Sequence, residues 1–113
     1  MSNTQVVIIE PIRTLAFGSI SASYAAVGTP LVNPTRLICF TNNTDGDVFF
    51  SYDGVNDMLF VAAGGFKLFD LNTNHKLQDQ YWVFPEHLQW FVRQSTMPTV
   101  RSVYIECLGS PNA

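Results

Sequence analysis

The residues whose chemistry would matter first in this 113-residue chain are two histidines, two cysteines and a short run of aspartates. His75 and His87 have no second His or Cys at the spacing of a metal pair, and neither stands in a pattern that supplies a base to a nucleophile. Cys39 and Cys107 are far apart, each inside an apolar run, and read as small buried hydrophobes rather than ligands; a disulfide between them would require the fold to bring them together. Asp45, Asp47, Asp53 and Asp57 flank one stretch and could gather oxygens around a hard cation such as calcium. They lack the alternating ligand pattern and the closing Glu of a calcium loop, so they read as aspartates that cap turn backbone. Gly64-Gly65 lies between two apolar runs, as a hairpin turn does, whereas phosphate loops open a helix. No Ser or Thr stands in a nucleophile elbow. The sequence therefore assigns no catalytic residue, no metal ligand and no cofactor, and the chain is expected not to be an enzyme.

What remains is surface. Apolar types make up 47% of the residues and charged types only 13%, about half the charged share of ordinary soluble domains. A domain this small cannot hide so much apolar surface by folding alone, so an oligomer or a larger assembly is expected. The net charge is −3 and the six Lys and Arg residues are scattered, which gives no positive stripe for nucleic acid or for an anionic membrane. No stretch approaches the roughly 18 apolar residues of a membrane span, and the start of the chain lacks the pattern of a signal peptide; assembly in a cytoplasm is the expectation. Phe49, Tyr81, Trp82, Trp90, Phe91 and Tyr104 cannot all face one small core. Exposed Trp and Tyr either stack on sugar rings or anchor a protein interface, and the low charge favours the interface.

The elements that would position these side chains are short. Turn residues recur every few positions and leave apolar pieces of strand length at 5–9, 13–20, 36–41, 48–52, 59–62, 66–70, 81–84, 89–94 and 102–108, with no helical period. Val48, Phe50 and Tyr52 alternate with Asp47, Phe49 and Ser51. Val103, Ile105 and Cys107 alternate with Ser102, Tyr104 and Glu106, as half-buried strands do. Val6-Val7-Ile8-Ile9 and Tyr81-Trp82-Val83-Phe84 are instead apolar on both faces, which calls for a second cover from another subunit. Asp53-Gly54 suits a tight reversal, and with Gly64-Gly65 it predicts a meander over 37–70. Residues 21–35 read as a long crossing connection of the kind a Greek key needs. The expected architecture is one all-β domain over 1–113, an antiparallel β-sandwich of about eight short strands with little or no helix, with 1–12 as a contact arm. The residues expected to meet a partner are Val6, Val7, Ile8 and Ile9 in the arm, with Tyr81, Trp82 and Trp90 on an aromatic surface.

Several strings, in order, carry a resemblance. Leu15-Ala16-Phe17-Gly18-Ser19-Ile20, Tyr24-Ala25-Ala26-Val27-Gly28, Phe40-Thr41-Asn42-Asn43-Thr44-Asp45, Ser51-Tyr52-Asp53-Gly54-Val55-Asn56-Asp57 and Ala62-Ala63-Gly64-Gly65-Phe66 resemble small virion structural proteins of tailed bacteriophages. The resemblance continues through Asp70-Leu71-Asn72-Thr73-Asn74 to the strand ending at Cys107. It implies a β-sandwich of jelly-roll type, present in many copies on a particle. The partners it implies are the major capsid protein or other virion proteins, with self-association, no nucleic acid and no membrane. A capsid decoration or cement protein is the leading expectation. The alternatives are a neck or tail adaptor or fibre-associated protein, and a carbohydrate-binding module for host attachment.

Overall fold

The computed structural model describes residues 7–71 and 83–110; Val6, Tyr81, Trp82 and His75 lie outside them. Nine strands are present among the described residues: β1 (Ile8–Ile9), β2 (Arg13–Ala16), β3 (Ala25–Ala26), β4 (Thr35–Asn42), β5 (Val48–Ser51), β6 (Leu59–Val61), β7 (Phe66–Asp70), β8 (Phe91–Gln94) and β9 (Ser102–Gly109). They form two antiparallel sheets. In the first, β9 lies between β4 and the pair β1 and β2, and β7 closes the far side of β4; the second runs β3-β8-β5-β6. The protein is thus an all-β antiparallel sandwich, as expected. One 3-10 turn, Phe17–Ser19, is the only helical piece among the described residues.

The pairing follows a simple rule. The β5–β6 hairpin, with residues 52–58 as its loop, sits at the middle of the topology, and β4 pairs with β7, β3 with β8, and β2 with β9. The chain is in effect one long hairpin rolled up, and the rolling brings β9 beside β4 and β8 beside β5. That is the strand order of a jelly roll. The meander expected over 37–70 is therefore corrected. Only β5 and β6 are a local hairpin, while β4 and β7 belong to the opposite sheet and pair with each other across it. At Ala62–Gly65 the chain turns, with Gly65 N–H donating to the Ala62 carbonyl at 2.8 Å and Gly64 at φ 74, but it leaves the sheet instead of continuing it. The connection over 21–35 crosses between sheets and also supplies β3 and two core side chains, Val27 and Leu31.

Alternation decides what faces inward. Ile38 and Phe40 of β4 and Val103, Ile105 and Cys107 of β9 point into the sandwich, against Val48 and Phe50 of β5 and Val92 of β8. Trp90 is 2% exposed. Its ring meets Phe40 edge-on at 4.6 Å and also contacts Phe84 and Tyr52. The expectation that Trp90 stands on an aromatic surface is corrected: it is the largest fully buried side chain in the core. Cys107 is buried as expected, and burial pushes its thiol pKa up. Cys39 is only half-buried, on the opposite face of the same sheet, and both thiols are free.

Candidate interaction surface

The outward residues of the five-stranded sheet line up in transverse rows, because paired residues in antiparallel strands share a face. One row is Ile9, Leu108, Leu37 and Asp70; the next is Glu106, Cys39 and Leu68; the third is Thr14, Tyr104, Thr41 and Phe66. The ends of these rows are bare: Ile9 is 75% exposed, Phe66 64% and Leu68 53%. Val7, just before β1, and Ile12, in the segment between β1 and β2, are also exposed. Glu106 stands near the centre as an exposed carboxylate. The result is a broad, largely apolar face that carries two carboxylates, Glu106 near its middle and Asp70 at its β7 edge, of the kind that marks interaction sites on soluble proteins.

The arm residues singled out from sequence land here in part. Val7 and Ile9 are exposed, while Ile8 turns toward the inner side and is half-buried. Phe66, Leu68, Leu37 and Leu108 were not singled out. The available signal was the spacing Phe66-x-Leu68 on a strand whose other face carries Lys67.

The outer face of the four-stranded sheet is built differently. Tyr24, Arg93, Phe49 and Phe60 cross it side by side, as the pairings Ala25 with Val92 and Phe49 with both Arg93 and Phe60 require. The Arg93 guanidinium lies over the Phe49 ring at 4.7 Å and near the Tyr24 ring at 5.8 Å. Asp57 accepts from Arg93 Nε at 2.8 Å and Nη2 at 2.5 Å, and from the Tyr24 hydroxyl at 2.5 Å. The Arg93 and Tyr24 hydrogen bonds hold the Asp57 carboxyl down at about 2. Burial and the Asp57 carboxylate push Tyr24 up to about 12. Each charge is answered locally and Arg93 caps Phe49, while Phe60 at the end of the row is 41% exposed.

The remaining aspartates do the turn work anticipated for them. Asp53 accepts from the Val55 and Asn56 amides at 2.8 and 2.9 Å and from the Ser51 hydroxyl at 2.7 Å. Those amides hold its pKa below the ordinary carboxylate range, and Gly54 beside it takes φ 72. Asp47 accepts from the Ala63 amide at 2.9 Å, and Asp45 accepts from the amide and hydroxyl of Thr99. Among the described residues no three His, Cys, Asp or Glu side chains gather as metal ligands would.

A polar cluster that the sequence did not reveal lies at the β1–β2 junction. Ile9 pairs with Leu108 and Arg13 with Ile105, so four steps on one strand match three on the other and the junction is a bulge. There Glu10 and Arg13, both buried, form an ion pair at 2.7 Å. Glu10 also accepts from the Val32 and Asn33 amides, and Arg13 donates to the Thr29 and Pro30 carbonyls. Burial pushes Glu10 up, but these donors together outweigh it and its pKa lies below the ordinary value. Every strong hydrogen-bonding direction of the pair is used within the chain, so the cluster fastens the 29–33 loop to the sheet edge and leaves nothing for a ligand.

Fold and surface together define the class: a jelly-roll β-sandwich with one capped and one bare outer face. Comparison with protein-family models, with curated proteins and with solved structures returns no match to the chain.

Proposed function

We propose that the protein is a non-enzymatic structural subunit of a tailed-bacteriophage virion, most simply a capsid decoration or cement protein, that docks onto the major capsid protein or another virion protein through the outer face of its five-stranded sheet. The observation that carries this reading is the largely apolar face from Ile9 to Leu68, interrupted by Glu106. Jelly rolls serve in capsid and lectin domains and in cupins alike, so the fold does not choose among functions. The face, the low charge and the resemblance in the turn strings favour assembly. Glu106 favours a different protein as occupant, because two copies stacked face to face would bring their Glu106 carboxylates together near the centre. A partner with an apolar surface and one Lys or Arg opposite Glu106 fits better. The protein would be made in the host cytoplasm and reside on the particle.

The magnitudes favour many copies. Covering about 500 Å² of apolar face yields roughly 12 kcal/mol gross, against an association cost of about 4 to 15 kcal/mol. One contact is therefore weak and repeated contacts are needed. The test is quantitative mass spectrometry of purified particles, followed by rebinding of the protein to particles stripped of it. Hundreds of copies per particle are expected. About six or twelve would move the protein to the neck or tail, where rings have such symmetry. Phe66→Asp with Leu68→Asp should abolish rebinding. Full rebinding by that double variant, or absence of the protein from particles, overturns the proposal. The sugar-binding alternative loses Trp90 as a stacking residue, since Trp90 is buried.

A further inference from the structure

We infer that β7 is a self-pairing edge, and that two copies of this chain join β7 to β7 in antiparallel fashion about a two-fold axis at Leu68, making one continuous sheet. The inference concerns a second copy at the sheet edge, not the virion partner at the sheet face, and stands or falls separately from the proposed function.

Among the described residues the four sheet edges are unequal. On one side of the five-stranded sheet, β1 has two residues and β2 four, separated by a bulge that contains Pro11. The edges of the four-stranded sheet are β3 with two residues and β6 with three. Short strands, bulges and prolines are how proteins keep edges from pairing. β7 has five residues with no proline, glycine or bulge, in unbroken register with β4 from Thr41 with Phe66 to Leu37 with Asp70.

The hydrogen-bond phase of β7 can be read directly. The Asn42 amide donates to the Gly65 carbonyl at 2.9 Å and the Leu71 amide to the Arg36 carbonyl at 2.8 Å. In an antiparallel ladder bonded pairs alternate with unbonded ones, so 65, 67, 69 and 71 bond toward β4. The amides and carbonyls of Phe66 and Leu68 are directed away from it, and their side chains stand on the bare outer face.

A second β7 must match this phase and keep outer residues opposite outer residues. Centring the axis on Lys67 meets both conditions but sets two lysines directly opposite, which is destabilising. Centring it on Phe69 leaves the Phe66 amide beyond the other β7. Centring it on Leu68 places Leu68 against Leu68 of the second copy, where each donates to and accepts from the other, and Phe66 against Asp70. Lys67, the residue that would ordinarily guard this edge, then faces the Phe69 ring of the second copy, an acceptable neighbour for an ammonium. The two bare faces become one, and a pair of copies presents two docking faces on one rigid sheet.

The test uses the purified full chain. Sedimentation equilibrium is expected to give a dimer that Leu68→Lys weakens at least tenfold, since that change puts two ammonium groups across the axis. Register is read by cysteine substitution in a Cys39→Ser background, because Cys39 lies cross-strand from position 68 and would otherwise capture the new thiol within the chain. Opposed Leu68 Cα atoms at a bonded pair lie about 5.5 Å apart, inside the disulfide range; the two Phe66 residues lie roughly 14 Å apart. Oxidation should therefore link Leu68→Cys into a covalent dimer and leave Phe66→Cys unlinked. Wild-type protein that is monomeric at about 100 μM overturns the inference, as does a dimer in which Phe66→Cys links and Leu68→Cys does not. If Leu68→Lys fails to fold, the cysteine pair alone decides. Particle rebinding plays no part in these readouts, so loss of the docking proposal leaves them unchanged.

Discussion

The two outer faces of this sandwich both carry aromatic and aliphatic side chains and treat them differently. On the four-stranded sheet Arg93 lies across Phe49, and Asp57 clamps Arg93 and the Tyr24 hydroxyl together. On the five-stranded sheet Ile9, Phe66 and Leu68 are left open, and Glu106 takes part in none of the ion pairs among the described residues. A cation stacked on a ring and paired with a carboxylate covers apolar surface with groups that water solvates well. Its absence on the opposite face is informative because the same chain supplies such a cap elsewhere. An apolar face that is finished in one place and unfinished in another points to a partner for the unfinished one.

The largest expected effects come from the framework that holds both faces. Trp90→Ala should cost about 3 to 5 kcal/mol, the usual range for emptying an aromatic core site, seen as a lower urea midpoint by circular dichroism with both faces lost together. A Trp90 that acted as a surface anchor would instead leave the midpoint unchanged. Trp90→Phe should cost much less, because it keeps most of the ring and removes an indole N–H that finds no acceptor. Next in size is Glu10→Ala. It strands the buried Arg13 guanidinium at the β1–β2 bulge, and breaking a buried pair by removing one member costs about 3 to 5 kcal/mol. Its effect should concentrate at the edge carrying Ile9, visible as faster hydrogen exchange at Arg13 and Leu15.

Smaller changes separate the faces directly. Phe66→Asp with Leu68→Asp alters side chains that are mostly exposed in a single copy, so the stability of the monomer should move by no more than about 1 kcal/mol while binding of a hydrophobic dye falls. Arg93→Ala should do the reverse, raising dye binding by uncovering Phe49. If the two variants change dye binding in the same direction, the contrast between a capped and a bare face is lost.

How much of this was legible in the sequence depends on what each residue's neighbours decide. Val48 with Phe50 and Val103 with Ile105 announced their strands because alternation is local, and a half-buried strand writes it along the chain. β3 did not, since Ala25–Ala26 carries no pattern and is a strand only because β8 lies beside it. The pairing of β4 with β7 was hidden by adjacency: the tight turns suggested neighbours in one sheet, whereas rolling of the long hairpin placed β5 and β6 in the other. Val7 and Ile9 were readable as exposed residues because four consecutive apolar positions cannot all face one core. Phe66 and Leu68 were not, since on an edge strand exposure is set by the missing neighbour and not by residue type. Trp90 was misread for the complementary reason. A surplus of aromatics shows that some lie outside, and only packing against Phe40 and Phe84 shows which one does not.

The smallest expected effect tests the cap by pH. The Asp57 pKa is depressed from 3.8 to about 2, first by the Arg93 hydrogen bonds and then by Tyr24. A depressed carboxylate stabilises the fold fully above its unfolded pKa and loses that contribution as pH falls through the folded one. The stability difference between wild type and Asp57→Asn should therefore be constant above about pH 4 and shrink toward zero near pH 2. Tyr24 works in the other direction. Burial, then the Asp57 carboxylate, raises it from 10.0 to about 12, so its contribution is full below its unfolded pKa and disappears as pH rises through the folded one. The gap between wild type and Tyr24→Phe should hold to about pH 10 and close by about pH 12. Urea titrations of the three proteins across both limbs measure this. Asp57 and Arg93 are accessible to water, so both gaps will be small, and a gap that stays flat through both limbs would mean that the ring stacking of Arg93, not its ion pair, covers this face.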